Sequence, residues 1–206
     1  MKREPNMYPS VFTDPEAARE YAASAAKRGK RIGKDFAKVL SQLGFEKGQI
    51  LDAGAGSGDV AIELARVFPR AEVVGLDLSE PLLELARSSM EKAGLSDRLS
   101  FEKGDVQAMP FEDDSFDVVA SLNTLHVVDD PVAMLDEIER VLAPNGMLGL
   151  SDIKRSWFGL FMPILKTAYT ATEAKELLHR SKLRPWEFHE SFLWFSVGAG
   201  GPMNSQ

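Results

Sequence analysis

Short apolar runs alternate with helix-like segments along the middle of the chain, and this alternation constrains its fold more than any other feature. The runs predict five strands, at residues 49–52, 72–76, 99–102, 116–121 and 146–150. Apolar residues at helical spacing predict the intervening helices, at residues 60–68, 79–94 and 131–142. Strands joined by helical crossovers run parallel to one another. We therefore predict an α/β fold, a doubly wound sheet of parallel strands with helices on its faces.

The segments on either side of these strands predict further elements. Residues 1–45 predict a helical cap that starts at Asp14-Pro15, and Gly29 or Gly33 is a point where this helix could break. An Asn145-Gly146 turn is expected before the fifth strand.

The last fifty residues predict a helix and a hairpin. Thr170 and Glu173 have the spacing of a capping box, which opens a last helix. Aromatic-rich runs at residues 186–188 and 194–197 predict two strands, joined by a tight turn near Glu190-Ser191. Because the connection is short, these two strands should form an antiparallel hairpin on an otherwise parallel sheet.

Composition bounds the class of protein. The chain has 206 residues, of which 44% are hydrophobic and 27% charged, and these values are typical of one globular domain. No apolar run approaches the ~20 residues that cross a bilayer, and the first residues lack the apolar stretch of a signal peptide. We therefore expect no membrane span and a cytoplasmic protein.

Charge and cysteine content exclude several kinds of site. The net charge of −7 argues against a nucleic-acid partner, and the chain has no cysteine and three scattered histidines. Disulfides, thiolate chemistry and a metal site are therefore not expected. One basic stretch, residues 27–34, has two interpretations: it is either a solvated helix face or a contact for an acidic substrate, a lipid headgroup or RNA.

A glycine-rich loop, residues 52–58, joins the first predicted strand to the helix that follows it. Glycines let the backbone approach a ligand closely, and the helix N-terminus offers unpaired N–H groups. The dinucleotide pattern G-x-G-x-x-G fails here because Asp59 stands where its third glycine belongs, and the phosphate-loop pattern fails because no lysine follows Gly58. The loop therefore predicts a nucleotide-like ligand of another kind.

Three carboxylates accompany this loop. Asp52 begins it, Asp77 ends the second strand and Asp105 follows the third, so we expect the three on one rim of the sheet. Such a rim repels a pyrophosphate. It suits a ligand that carries an ammonium group, a sulfonium and two ribose hydroxyls.

In these motifs the sequence resembles the class I S-adenosylmethionine-dependent methyltransferases, especially the group that acts on small metabolites, including quinone precursors. The similar segments are residues 50–58, 74–79, 104–111, 116–119 and 140–146. The resemblance implies a Rossmann-like sheet of seven strands, mostly parallel, with S-adenosylmethionine as the cofactor. It also implies one methyltransferase domain over residues 1–206, made of the helical cap of residues 1–45, a cofactor-binding core of residues 46–152 and an acceptor-covering segment with the C-terminal helix and hairpin in residues 153–206.

The same resemblance assigns cofactor-binding roles to individual residues. Asp52, Gly54 and Gly56 would contact the methionine part, together with Asn123. Asp77 would hold the ribose hydroxyls and Leu78 would lie beside the adenine. Asp105 and Val106 would bind the adenine amino group and ring. The cofactor-binding set implied is Asp52, Ala53, Gly54, Gly56, Asp77, Leu78, Asp105, Val106, Gln107 and Asn123.

The sequence says less about the acceptor. Methyl transfer needs a base only if the acceptor must lose a proton, and His126 and Tyr21 are the weak candidates for that base. The apolar segment of residues 157–165 is either an acceptor-covering element, which would favour an apolar small molecule, or a core or dimer contact. The chain could therefore act as a monomer or as a homodimer that shares the acceptor pocket.

Two other functions stay open at this stage. One is a nicotinamide-dependent oxidoreductase on a related sheet, which the loop spacing disfavours. The other is a module that binds S-adenosylmethionine without catalysis and acts through a partner.

Overall fold

The computed structural model describes residues 3–4, 11–157 and 163–200 of the chain. Within these residues, one sheet contains the strands β1 (Lys47–Ala53), β2 (Arg70–Asp77), β3 (Leu99–Lys103), β4 (Phe116–Leu122), β5 (Leu142–Ile153), β6 (Glu187–Glu190) and β7 (Trp194–Gly200). The helices are α1 (Pro15–Gln42), α2 (Asp59–Val67), α3 (Glu80–Ala93), α4 (Pro131–Val141) and α5 (Ala171–Arg180).

The strand order is β3-β2-β1-β4-β5-β7-β6. The first five strands pair in parallel, and β7 runs antiparallel to both β5 and β6. The predicted seven-stranded, mostly parallel sheet with a C-terminal antiparallel hairpin is therefore confirmed. Because β1 to β5 are parallel, their carboxyl ends and the loops that follow them lie along the same edge of the sheet.

Helix α1 begins as predicted but does not break. Asp14 caps it by accepting the backbone N–H groups of Glu16 and Ala17, and the helix then runs for 28 residues. A Cβ at Gly29 would lie 2.8 Å from the Cβ of Asp59, and one at Gly33 would lie 3.0 Å from the Cβ of Glu63. The two glycines therefore allow α1 to cross α2 at close range, and the predicted break is wrong.

The fifth strand is longer than predicted. A step of two residues in β4, from Phe116 to Val118, is matched by a step of five in β5, from Leu142 to Met147. The three extra residues form a bulge, and the expected Asn145-Gly146 turn is a part of this bulge within a continuous strand. A Cβ at Gly146 would lie 2.7 Å from Leu142 Cδ1, so glycine lets the bulge pack closely on that side chain.

Both faces of the sheet carry a hydrophobic core. On one face α4 and α5 contribute to the core, for example through Ile138 and Leu178. On the other face α1 and α2 do so, for example through Leu40 and Leu64. Among the helices of the described residues, none is both long enough and apolar enough to cross a membrane.

We expect Gly149→Ala to destabilise the fold at the contact between α1 and β5. A Cβ at Gly149 would lie 2.0 Å from Cε2 of Phe36, so the phenyl ring must shift from its packed position. Overpacking of this kind costs about 1–3 kcal/mol in the free energy of unfolding, which urea denaturation would measure. The matched control is Gly198→Ala in the register partner on β7, where the nearest atom to the new Cβ lies 3.9 Å away. Equal losses in the two variants would contradict the prediction.

Candidate functional site

A cavity of about 540 Å³ opens at the carboxyl edge of the sheet. A smaller cavity of about 90 Å³ adjoins it, and both are lined by Gly54, Gly56, Asn123, Tyr21 and Arg28. The larger cavity brings together eight of the ten residues that the sequence assigned to the cofactor, namely Gly54, Gly56, Asp77, Leu78, Asp105, Val106, Gln107 and Asn123.

The glycine loop after β1 is held by the end of β2. The backbone N–H groups of Gly54 and Ala55 both donate to the carbonyl oxygen of Leu76, at 2.8 and 2.9 Å. Gly56 has a φ of 53°, and no described atom lies within 4 Å of the position that its Cβ would take. The backbone at Gly56 is therefore open on its cavity side, so that a ligand can approach it closely.

Asp77 is the last residue of β2 and lies at the mouth of the cavity. Its Oδ2 accepts the Gly56 N–H at 2.8 Å and its Oδ1 accepts the Ser79 N–H at 2.9 Å. Burial raises the pKa of this carboxyl group, and the two N–H donors partly oppose that rise. Each carboxyl oxygen keeps a second lone pair that can accept a hydrogen bond from a ligand.

Asp105 lies in the loop after β3 and connects that loop to the one after β4. Its Oδ1 accepts the backbone N–H of Gln107 at 2.8 Å and the side-chain amide of the same residue at 2.9 Å. The Oε1 of Gln107 accepts the Asp130 N–H at 2.6 Å. The two loops that border this part of the cavity are therefore joined by a single side chain.

Asp52 does not lie on the rim of the larger cavity, and in this respect the expectation of three carboxylates on one rim is wrong. It is 2% exposed, lines the smaller cavity, and accepts the Ala61 N–H through Oδ2 at 3.1 Å. Burial raises its pKa from 3.8 to about 7, and the charges of Asp77 and Asp59 add to this rise. Ala53 is fully buried and contributes to neither cavity as the described residues form them.

Asn123 follows β4 in a left-handed conformation, with a φ of 65°. Its backbone N–H donates to the Ser151 carbonyl at 2.8 Å. Its side-chain Oδ1 is buried and has no hydrogen-bond partner among the described residues. A buried acceptor without a partner is costly, and a donor on a bound ligand would satisfy it.

Both candidate bases line the larger cavity. His126 is 7% exposed, and its ring Nδ1 lies 2.7 Å from Oδ1 of Asp152, which is fully buried. The backbone N–H of His126 donates to Oδ2 of the same carboxylate at 2.9 Å. Tyr21 lies on α1 with its ring 4.8 Å from the ring of Phe12.

Other residues at the cavity had more than one interpretation in the sequence. Arg28 belongs to the basic stretch, which the sequence could equally assign to a solvated face, and it reaches both cavities because α1 crosses close to α2. Ile164 and Leu165, from the segment predicted to cover an acceptor, line the cavity, whereas residues 158–162 of that segment lie outside the described residues. The far wall is apolar and is formed by Ile153, Ile164, Leu165, Leu193 and Trp194.

Comparisons with known proteins indicate the same class as the motifs do. A family model described as a methyltransferase domain matches residues 45–186. A demethylmenaquinone methyltransferase of Staphylococcus aureus is 39% identical over 134 residues, which are 64% of this chain and 53% of that protein. The sterol 24-C-methyltransferase of Aspergillus fumigatus is 40% identical over 115 residues, which are 55% of this chain and 30% of that protein. The chain thus spans about half the length of the first relative and less than a third of the second.

Solved structures share the fold. The crystal structure of a SAM-dependent methyltransferase from Aquifex aeolicus matches with a TM-score of 0.71 and 22% identity. The match covers 91% of this chain and 98% of that one.

We expect Asp52→Asn to change how stability depends on pH. Because the pKa of Asp52 is about 7 in the folded protein and 3.8 ordinarily, its contribution to stability is fully present below about pH 4 and is lost as the pH rises through about 7. A shift of this size corresponds to about 2–4 kcal/mol between those limits, and the asparagine variant lacks this loss.

Urea denaturation between pH 4 and 8 would test this expectation. The difference in unfolding free energy between Asp52→Asn and the unsubstituted protein should move in favour of the variant as the pH rises. The control is Asp97→Asn, at an exposed position away from both cavities. Parallel pH profiles for the unsubstituted protein and Asp52→Asn would contradict the prediction.

Proposed function

The chain belongs to a methyltransferase domain family whose cofactor is S-adenosylmethionine, and we propose that it transfers the methyl group of that cofactor to a small molecule. One observation carries this proposal. A single cavity joins an open glycine backbone and two carboxylates at one end to an apolar wall at the other. Such a cavity accommodates a polar cofactor and an acceptor side by side.

The residues of the cavity fit S-adenosylmethionine. At Gly56 the space that a Cβ would fill is open, so the amino-acid part of the cofactor can lie against the backbone. The orphaned Oδ1 of Asn123 is an acceptor for the cofactor's ammonium group. In this proposal Asp77 accepts the two ribose hydroxyls, and Leu78 and Val106 enclose the adenine.

The remaining cofactor-binding residues have supporting roles in this proposal. Asp105 accepts the adenine amino group while Gln107 fixes its carboxylate. Gly54 shapes the loop, because a Cβ there would lie 2.3 Å from Oγ1 of Thr124. Asp52 acts from beneath, because it ties the loop to the first turn of α2 and places a titratable group below the positively charged end of the cofactor.

Arg28 supplies the positive charge that the cofactor's carboxylate requires. It lines both cavities beside Gly54 and Gly56, and it forms no ion pair within the part of the chain that the structure describes. A guanidinium can bind a carboxylate through two parallel hydrogen bonds. We therefore assign to α1 a direct part in cofactor binding, in addition to its role as a cap over residues 46–152.

Methyl transfer requires the protein mainly to align the acceptor with the methyl group. When bound, the cofactor supplies a methyl group already activated by a positively charged sulfur. The residues of the cavity then have to hold the acceptor in line with the carbon–sulfur bond and to exclude water. Ile153, Leu165 and Trp194 provide an apolar surface for the acceptor on the side away from Asp77.

The names of the relatives support an apolar acceptor. One is named for demethylmenaquinone and the other for a sterol. The wall formed by Ile164 and Leu165 with residues at the carboxyl end of β5 and the start of β7 is apolar in the same way. We propose that residues 153–206 form this acceptor side of a single methyltransferase domain.

We expect Arg28→Gln to weaken binding of S-adenosylhomocysteine about tenfold, because a charge-assisted pair is worth about 1.5–3 kcal/mol and Arg28 is partly open to solvent. Binding of 5′-methylthioadenosine, which lacks the amino-acid part, should not change. Calorimetry measures both. Lys34→Gln, in the same basic stretch but away from the cavities, is the matched control. Equal losses for the two ligands would contradict the role given to Arg28.

The function itself is tested by binding and transfer. We expect S-adenosylmethionine and S-adenosylhomocysteine to bind and NADH not to bind, because the loop lacks the dinucleotide spacing. Incubation with methyl-labelled cofactor and a panel of small apolar acceptors should then yield a labelled product. Binding of NADH without S-adenosylmethionine would overturn the proposal, and cofactor binding without transfer to any acceptor would support a non-catalytic module instead.

A further inference from the structure

His126 and Asp152 form a buried pair at the boundary between the two ends of the cavity. His126 lies in the loop after β4, and Asp152 lies near the end of β5, the neighbouring strand. The carboxyl group of Asp152 accepts the backbone N–H groups of His126 at 2.9 Å and of Ile153 at 2.6 Å, and its Oδ1 lies 2.7 Å from the ring Nδ1 of His126. The aspartate is fully buried and the histidine nearly so.

These contacts decide which ring nitrogen carries the proton. Both carboxyl oxygens already accept a backbone N–H, and an acceptor-only carboxylate fits that arrangement, so we place the proton between Oδ1 and Nδ1 on the ring. Nε2 is then the nitrogen with a free lone pair. No described residue forms a hydrogen bond with Nε2, and His126 lines the cavity. The free lone pair is therefore available to a molecule bound there.

The peptide of His126 is fixed as firmly as its ring. Its N–H donates to Asp152 and its carbonyl accepts from Nη2 of Arg3 at 2.6 Å. The Arg3 guanidinium in turn lies 4.2 Å from the centre of the Tyr169 ring. The ring of His126 is held at Nδ1, and its backbone is held at both the N–H and the carbonyl. The side chain is therefore preoriented and loses little freedom on binding a ligand.

The strand order places this pair beside the transferred methyl group. Along the sheet edge, Asp77, Gly56, His126 and Ile153 follow β2, β1, β4 and β5 in that order. Neighbouring strands lie about 4.8 Å apart, so these residues span about 14 Å. With the ribose at Asp77 and the amino-acid part at Gly56, the sulfur between them lies about one and a half strand spacings, or about 7 Å, from the strand that precedes His126. The apolar wall begins at Ile153, immediately beyond.

Resting on the proposed function, we infer that His126 is the general base of the reaction, that Asp152 is its positioning residue, and that the acceptor is an apolar molecule with a phenolic or enolic hydroxyl. His126 Nε2 takes the hydroxyl proton. The acceptor oxygen bonds to the methyl carbon as the carbon–sulfur bond breaks, and the electron pair of that bond stays on sulfur. The products are a methyl ether, S-adenosylhomocysteine and a protonated His126.

The charge balance agrees with this assignment. One positive charge leaves the sulfur and one appears on the imidazole, so the number of charges in the cavity does not change. The new charge lies 2.7 Å from the carboxylate of Asp152, which stabilises it. An acceptor without an ionisable hydrogen would not use this pair.

Other titratable groups surround His126 and belong to any pH profile of the reaction. Asp152 contacts the ring, Arg3 contacts the peptide and Tyr169 lies against Arg3. The cavity also carries the titratable or charged side chains of Tyr21, Arg28, Asp77, Asp105 and Asp129.

Two probe acceptors separate a base from a merely structural histidine. At about pH 8 the hydroxyl of 2-naphthol is protonated, whereas that of 4-nitrophenol is largely ionised without any base. We expect His126→Asn to lower kcat/KM for 2-naphthol by about 100-fold or more, the usual contribution of a general base, and to lower that for 4-nitrophenol far less. Asparagine can still donate an N–H to Asp152, and it lacks Nε2. An equal loss for both probes, or no loss, overturns the inference.

Further measurements distinguish loss of the base from loss of the fold or of the cofactor site. Calorimetry with S-adenosylhomocysteine should give the same Kd for His126→Asn as for the unsubstituted protein. If the variant does not fold, the unsubstituted protein still decides, because kcat/KM for 2-naphthol should fall as the pH is lowered when a general base takes the hydroxyl proton. A flat profile overturns the inference. A selective loss of kcat/KM for 2-naphthol in Tyr21→Phe rather than in His126→Asn assigns the base to Tyr21 and overturns the inference as well.

The proposed class of acceptor is tested separately, by comparing a phenol with the corresponding amine. Labelled methyl transfer to 2-naphthylamine but not to 2-naphthol overturns the inference and leaves the proposed function intact. Cofactor binding without O-methylation of any phenol in the panel also overturns it. Failure to bind S-adenosylmethionine at all is the distinct result that overturns the proposed function.

Discussion

The site depends on how the end of β2 holds the loop after β1. The Leu76 carbonyl accepts two successive N–H groups of that loop, and the next residue, Asp77, accepts a third from Gly56. These hydrogen bonds set the loop in a conformation that leaves the backbone at Gly56 open. These three contacts also connect the segments that border this side of the cavity, from the first turn of α2 to the start of α3.

Most of the fold and much of the cavity lining could be predicted from the sequence, and each of these predictions has a physical reason. Strand and helix alternation predicts a parallel sheet because a crossover leaves few alternatives. Loops that follow parallel strands meet at one edge of the sheet, whatever their individual conformations. This edge brings together Gly56, Asp77, Asp105 and Asn123. Local caps such as Asp14 and Thr170 could be predicted because their partners lie within three residues.

The predictions that proved wrong concern contacts between distant segments. The sequence pattern predicts a possible helix break at Gly33, whereas α1 uses this glycine to approach α2. The position of Asp52 at the start of the glycine loop predicts a place on the rim, but its side chain accepts the Ala61 N–H and is buried. Arg28 could not be placed at the cavity because the angle at which α1 crosses the sheet is set by packing, and the sequence pattern does not encode it.

The close crossing of the first two helices has a consequence for the shape of the cavity. Gly29 and Gly33 bring α1 so near to α2 that any larger residue at either position would meet Asp59 or Glu63 and separate the two helices. The glycine loop feeds directly into α2, and Tyr21 and Arg28 project from α1 over the same cavity. The width of the cavity between the glycine loop and these two side chains is therefore set by the two glycines of the helix crossing, which lie outside the larger cavity.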